Sequence, residues 1–146
     1  MCIRDRSYYV PMSSDPLDEA RFLADVLEET DASLLLDVNN IVVNAKNHRF
    51  DPHDWLALVP LERTVEIHVA GHLLRRDGLT IDTHGEAVCA DVFALLERAL
   101  ARTGDVPILL ERDENLTSFE DVRGDLTALR AIRTRVFDLR DEGPYA

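Results

Sequence analysis

Three short runs constrain this chain more than anything else in it: Ser33-Leu34-Leu35-Leu36, Val65 to Val69, and Pro107-Ile108-Leu109-Leu110. Each is strand-length, apolar or β-branched, and bounded by turn or charged residues, so each reads as a buried strand. Ser33 to Leu36, an apolar run without polar alternation, reads as a strand of a parallel sheet, where both faces are covered. The stretches between the runs must then carry the crossovers.

The intervening stretches change period. Asp15-Pro16 predicts a helix start, a capping side chain followed by proline in the first turn. Ala20, Leu23, Ala24 and Leu27 then follow at helical spacing, and the helix is expected to end near Thr30. Asp51-Pro52 opens a second, short helix with Trp55, Leu56 and Leu58 as its apolar residues, and Pro60 stops it. Val92, Leu95, Leu96 and Ala99 mark a third, closed by Gly104. Ser118-Phe119-Glu120-Asp121 has capping-box spacing, and Phe119, Val122, Leu126 and Leu129 continue as a fourth. Helices alternating with strands predict an α/β protein with a parallel sheet and right-handed crossovers. A (β/α) barrel takes about 250 residues, so a chain of 146 is expected to be roughly its second half.

The ends read differently from the middle. Met1 to Arg6 shows no period and carries charge at three consecutive positions, and it reads as a non-native leader. The domain is expected over residues 7–137, with a polar tail over 138–146.

All three strand candidates end in a side chain able to bind a metal: Asp37, His68 and Glu111. In barrels and open α/β sheets, function gathers at the carboxyl ends of strands. The stretch from Thr64 to Glu86 adds His72, Asp82 and His84. Glu66 and His68 share a strand face, as do Asp82 and His84 if that segment is extended. Imidazole and carboxylate without thiolate suit iron, manganese or zinc and disfavour a structural zinc site. Each residue also has a plainer role open to it. Asp37 suits a turn with Asn39 and Asn40, and His68 suits a satisfied core histidine. Asp82-Thr83-His84 suits a loop or cap, and Glu111-Arg112-Asp113 suits a surface ion cluster.

The net charge of −12 repels phosphate backbones and counts against nucleic-acid binding. No apolar run approaches membrane-span length, so no membrane partner is expected. Cys2 and Cys89 form no C-x-x-C pair, which fits a reducing cytoplasm. Cys89 reads as a packing residue on its helix.

Five motifs in order carry a family resemblance: Leu34 to Asn40 (LLLDVNN), Asn44 to Pro52 (NAKNHRFDP), Ile67 to His72 (IHVAGH), Asp82-Thr83-His84, and Leu110 to Asp113 (LERD). Over about residues 7 to 135 the chain resembles the multinuclear non-haem iron-dependent oxidases, of the MbnB and TglH kind, formerly filed as a bacterial domain of unknown function. The resemblance implies a TIM-type (β/α)8 barrel of the xylose-isomerase-like kind, with two or three irons at its mouth. It implies oxidation of a cysteine in a ribosomally made precursor peptide by dioxygen, with a leader-binding partner protein presenting the peptide. Position by position, Asp37, Asn40, His68, Asp82, His84 and Glu111 fall on the family's metal ligands. His72, with Glu66, His48 and Asn39, is expected beside those ligands or facing substrate. The family draws further histidines from strands that this chain does not contain, and a glutamate ligand would fall near Arg4. The chain alone is therefore expected to be an incomplete, inactive fragment. The rival readings are another divalent-metal barrel enzyme (a sugar isomerase or phosphodiesterase) and a non-catalytic binding module.

Overall fold

The structure is a computed structural model and describes residues 2–4 and 6–137. The polar tail expected over 138–146 lies outside the described residues. The chain folds as β1 (Cys2–Arg4), α1 (Asp18–Thr30), β2 (Ser33–Asp37), α2 (Val38–His48), α3 (Pro52–Leu58), β3 (Thr64–Val69), β4 (Leu73–Leu74), β5 (Thr80–Ile81), α4 (Ala90–Thr103), β6 (Ile108–Leu110) and α5 (Glu120–Phe137). A 3-10 turn, Leu61–Arg63, leads into β3. The four parallel strands stand in the order β1-β2-β3-β6, and β4 and β5 form a separate antiparallel pair.

The α/β expectation therefore holds, and the three apolar runs are β2, β3 and β6. Among the described residues the sheet is open, with β1 and β6 at its edges and no closed barrel. One sheet face packs under the helices. Leu34, Leu36, Ile67 and Val69 are buried there with Leu23 and Leu27 of α1 and Leu95, Leu96 and Leu100 of α4. Fully burying one such side chain contributes about 1.5–3 kcal/mol, so this single cluster dominates the fold's stability. Trp55 closes the cluster from α3, and its indole N–H donates to the Glu19 carboxylate of α1 at 2.8 Å.

Several helix ends follow the sequence signals. Asp51 caps α3 by accepting from the His53 N–H, with Pro52 in the first turn. Gly104 ends α4 at φ 79°, a left-handed φ that glycine adopts without a Cβ penalty. The box before α5 works in one direction: the Asp121 carboxylate accepts from the Thr117 and Ser118 N–H groups.

Three elements were not foreseen. Cys2–Arg4, within the stretch read as a leader, pairs in parallel with Ser33–Leu35 of β2. Asp37 ends β2 as expected, but Val38 to Asn40, expected as a turn, starts helix α2 with Asp37 as its cap. Its sequence, VNNIVVNAKNH, is rich in β-branched residues and asparagine, which are weak helix formers. Tertiary burial overrides that preference, since every residue from Val38 to Ala45 is buried. The basic loop after His72 is a hairpin, Leu73 and Leu74 opposite Ile81 and Thr80. Asn47 of α2 grips it at both Thr80 backbone groups, accepting at 2.9 Å and donating at 2.8 Å.

Candidate metal centre

Strand register explains why the ligand-type residues meet. Asp37 of β2 is paired with His68 of β3, and His68 with Leu109 of β6. Side chains two apart share a face, so Glu111, two residues past Leu109, emerges on the face of Asp37 and His68. The Glu111 N–H donates to Val69 O at 2.9 Å, carrying the ladder one step further.

Glu111 spans two histidines. Its Oε1 lies 3.0 Å from His68 Nδ1 and its Oε2 lies 3.1 Å from His84 Nδ1. Asp37, His84 and Glu111 each offer a ligand atom, and these atoms lie within 4.8 Å of one another. Asp37 is fully buried and His84 is 7% exposed. Glu66 reaches the other edge of His68, 3.5 Å from Nε2, and Asp113 lies 3.4 Å from His84 Nδ1.

The buried His68 Nδ1 and both ring nitrogens of His84 face carboxylate oxygens of Glu111 and Asp82 without hydrogen-bond alignment. An imidazole nitrogen and a carboxylate oxygen at about 3 Å need a ring proton or a metal cation between them. A donor set of imidazole nitrogen and carboxylate oxygen fits a first-row divalent or trivalent metal as that cation.

His84 is held by the loops around it. It adopts φ 51°, a left-handed conformation uncommon for a residue with a Cβ. Its carbonyl accepts from the Asp113 N–H at 2.9 Å. One residue on, Gly85 O accepts from Asn115 Nδ2 at 3.1 Å. Arg112 donates to Asp125 at 3.1 Å, and Asp125 accepts from the Val88 N–H at 3.2 Å. The helix after β6 thus clamps the loop that carries His84.

Asp82 sits behind His84, with Oδ1 2.9 Å from His84 Nε2. The same carboxylate accepts from Asn39 Nδ2 at 2.7 Å and from Ser7 Oγ at 2.9 Å. Burial alone would raise its pKa, but these hydrogen bonds and the His84 charge outweigh it and hold Asp82 below the usual carboxylate range. The Asp82 contact conversely raises the His84 pKa, against the opposing effect of burial, with Asp37 and Glu111 adding to the rise.

Of the ten residues singled out from sequence, Asp37, His68, His84, Glu111, Asp82 and Glu66 meet in one linked set. Asn40 is buried beside them, and its N–H donates to Asp37 Oδ1 at 3.0 Å. Asn39 joins Asp82 to His72, accepting at 2.8 Å from the ring. His48 lies in another contact: it stacks on Tyr8 with ring centroids 4.4 Å apart, and its Nε2 is 2.8 Å from Tyr8 O. Ser7, Asp125 and Tyr9, whose hydroxyl accepts from the Asp82 N–H at 3.2 Å, were not foreseen, and the Arg112 side chain, open to a surface ion-cluster reading, is instead buried against Asp125. Ser7 is 75 residues from Asp82, and nothing local in the sequence signals that contact.

The fold and site define an α/β protein with a carboxylate–imidazole centre at the carboxyl ends of its parallel strands. Over residues 1–134 the chain matches the family described as RiPP precursor modification enzyme MbnB/TglH/ChrH, and it belongs to that family. It is 42% identical over 131 residues to a UPF0276 protein of Caulobacter vibrioides, covering 90% of this chain and 46% of that protein. A UPF0276 protein of Shewanella oneidensis is 41% identical over 135 residues, covering 92% of this chain and 48% of that protein. One of Pseudomonas aeruginosa is 44% identical over 119 residues, covering 82% and 42%. The chain spans about half the length of the curated relatives it matches. Among the described residues, no helix is long and apolar enough to cross a membrane.

Proposed function

We propose that this chain is part of an iron-dependent oxidase that modifies cysteine in a ribosomally made precursor peptide. Glu111 bridging His68 and His84, with Asp37 in reach, is the observation that carries the reading. Family membership supplies the peptide-modifying role. Asp37, Asn40, His68, Asp82, His84 and Glu111 are the ligand set of this proposal. When bound, iron would supply dioxygen binding and the capacity to take electrons from the substrate. The chain's own residues do the rest. Register positions Asp37, His68 and Glu111 on one face, and Asp37, Asn40, His68 and His84 are buried there. Asp82, a ligand in this set, also touches His84 on its second nitrogen at 2.9 Å.

Two further parts of the reading concern the intact protein. The open parallel sheet is part of a TIM-type barrel in the intact protein, and a leader-binding protein in the cytoplasm delivers the peptide.

In a full-length protein carrying this sequence, His68→Ala should lower bound iron, measured by elemental analysis after anaerobic loading. It should also abolish oxygen uptake with a cysteine-containing precursor peptide. Unchanged iron content would sink the ligand assignment. Full activity with zinc or magnesium, and no oxygen uptake, would favour a divalent-metal isomerase or phosphodiesterase.

A further inference from the structure

His72 belongs to a second cluster that no metal reading requires. It is assembled from α2, the loop after β3 and the start of α4. Asn39 turns its Nδ2 toward Asp82 at 2.7 Å and its Oδ1, which can only accept, toward His72 Nδ1 at 2.8 Å. The His72 proton is thereby fixed on Nδ1, and the lone pair lies on Nε2. That lone pair faces Lys46 Nζ at 3.2 Å and Cys89 Sγ at 3.9 Å. Burial first, and then the Lys46 charge, hold the His72 pKa below its ordinary value, so the ring is a neutral base at neutral pH.

Cys89 packs against the core as expected, yet it is partly exposed and directly precedes α4, in the capping position, rather than lying on the helix. Lys46 also pairs with Asp91 at 2.9 Å. Beside that pair opens a largely apolar cavity of about 320 Å³, whose lining includes Val42, Phe50, Pro52 and Leu95. Nucleophile, base and base-orienting amide therefore lie together, and the cavity adjoins them through Lys46 and Asp91, which line it. This arrangement is how activated thiols are built.

We propose that Cys89 is a nucleophilic thiol, with His72 as its base and Asn39 as the group that sets the tautomer, and that it takes up small apolar disulfides by exchange. The Cys89 S–H proton passes to His72 Nε2 as Sγ attacks one sulfur of the disulfide. Lys46 gives up its contact with that nitrogen and stays on Asp91. A new Sγ–S bond forms and the original S–S bond breaks, its electron pair leaving on the far sulfur. That sulfur takes the proton back from His72, so one disulfide is exchanged for another with no net oxidant. The metal centre takes no part, so the proposal stands or falls apart from the proposed oxidase function.

The test uses the 146-residue chain and an uncharged aromatic disulfide, dithiodipyridine, at slightly acidic pH. An unassisted thiol is almost fully protonated there. Peptide mapping by mass spectrometry assigns the adduct to Cys89 or Cys2. Cys89 in the native chain should react faster than the same thiol in the urea-unfolded chain, by on the order of tenfold, with His72→Gln cancelling the gain. A native thiol slower than, or equal to, the unfolded one overturns the proposal. So does a folded His72→Gln chain that keeps the full rate. If circular dichroism shows that His72→Gln does not fold, the native-to-unfolded comparison decides alone.

Discussion

Asp37 and His68 are register partners on neighbouring parallel strands, so two side chains 31 positions apart in sequence leave the sheet side by side on one face. Adjacent strands lie about 4.8 Å apart, which suits two ligands of a shared ion. The same Asp37 also starts a helix, since its Oδ1 accepts from the Asn40 N–H at 3.0 Å.

That double role can be separated. Asparagine is as good a cap as aspartate but is a neutral and weaker metal ligand. Asp37→Asn should leave the unfolding midpoint nearly unchanged while lowering metal retention. Asp37→Ala should lose both, with about 1 kcal/mol of stability gone with the cap. Urea titration and elemental analysis of the two variants read the two effects. Equal metal content in Asp37→Asn and the parent chain would mean that Asp37 is a cap alone.

Gly71 lies between His68 and His72, where the chain meets the 86–87 backbone. A Cβ there would stand 2.0 Å from Glu86 O and 2.6 Å from Ala87 O. Neither partner is a flexible side-chain tip, so the backbone must move. Gly71→Ala should cost at least about 1–3 kcal/mol, in the range of overpacked cores. Thermal melting reads the loss, and an unchanged melting temperature would show that the two segments separate freely.

Arg112 and Asp125 form a buried pair with side chains 8% and 11% exposed. Removing the acid strands a guanidinium in the interior and takes the acceptor from the Val88 N–H. Asp125→Ala should destabilise the chain by about 3–5 kcal/mol. Asp125→Asn keeps a neutral acceptor and should cost less. Chemical denaturation of the two variants gives the order, and a reversed order would remove the pair from its clamping role.

Glu19 titrates in the opposite sense to most paired acids. Burial raises its pKa, partly offset by the Trp55 N–H that donates to it. A folded-state pKa above the unfolded value means that the folded chain holds the proton longer. This contribution to stability is present at low pH and declines as pH rises through the window between the unfolded and folded values. Glu19→Gln keeps an acceptor for Trp55 without a charge to bury. Its melting temperature at neutral pH should equal or exceed that of the parent chain, with a change within about 1 kcal/mol. Melting curves across acid to neutral pH should show a flatter profile for the variant, and a clear loss at neutral pH would contradict the sign.

Much of the fold was legible because its signals are local. Apolar runs of strand length, the helical apolar stripe of α1, the Asp51-Pro52 helix start and Gly104 each depend on a few neighbouring residues, and they place β2, β3, β6, α1, α3 and α4. Helix α1 itself begins at Asp18, past the expected Asp15-Pro16 start, with Leu17 before it making no side-chain cap. Helix α2 was not legible, because its sequence prefers other conformations and only burial against β3 and α4 holds it helical. The hairpin depends on Asn47 reaching Thr80 across 33 residues, and β1 on pairing with β2 across a whole helix.

The site divides the same way. Residue types and their places at strand ends were determined by the sequence alone, since chain direction and the two-residue strand period are local properties. Which side chains meet was decided by the tertiary structure. Glu111 reaches both His68 and His84 because parallel register and the Arg112–Asp125 clamp bring three segments together. His72 lies by Cys89 for the same kind of reason: Gly71 allows a close approach that composition and periodicity do not encode.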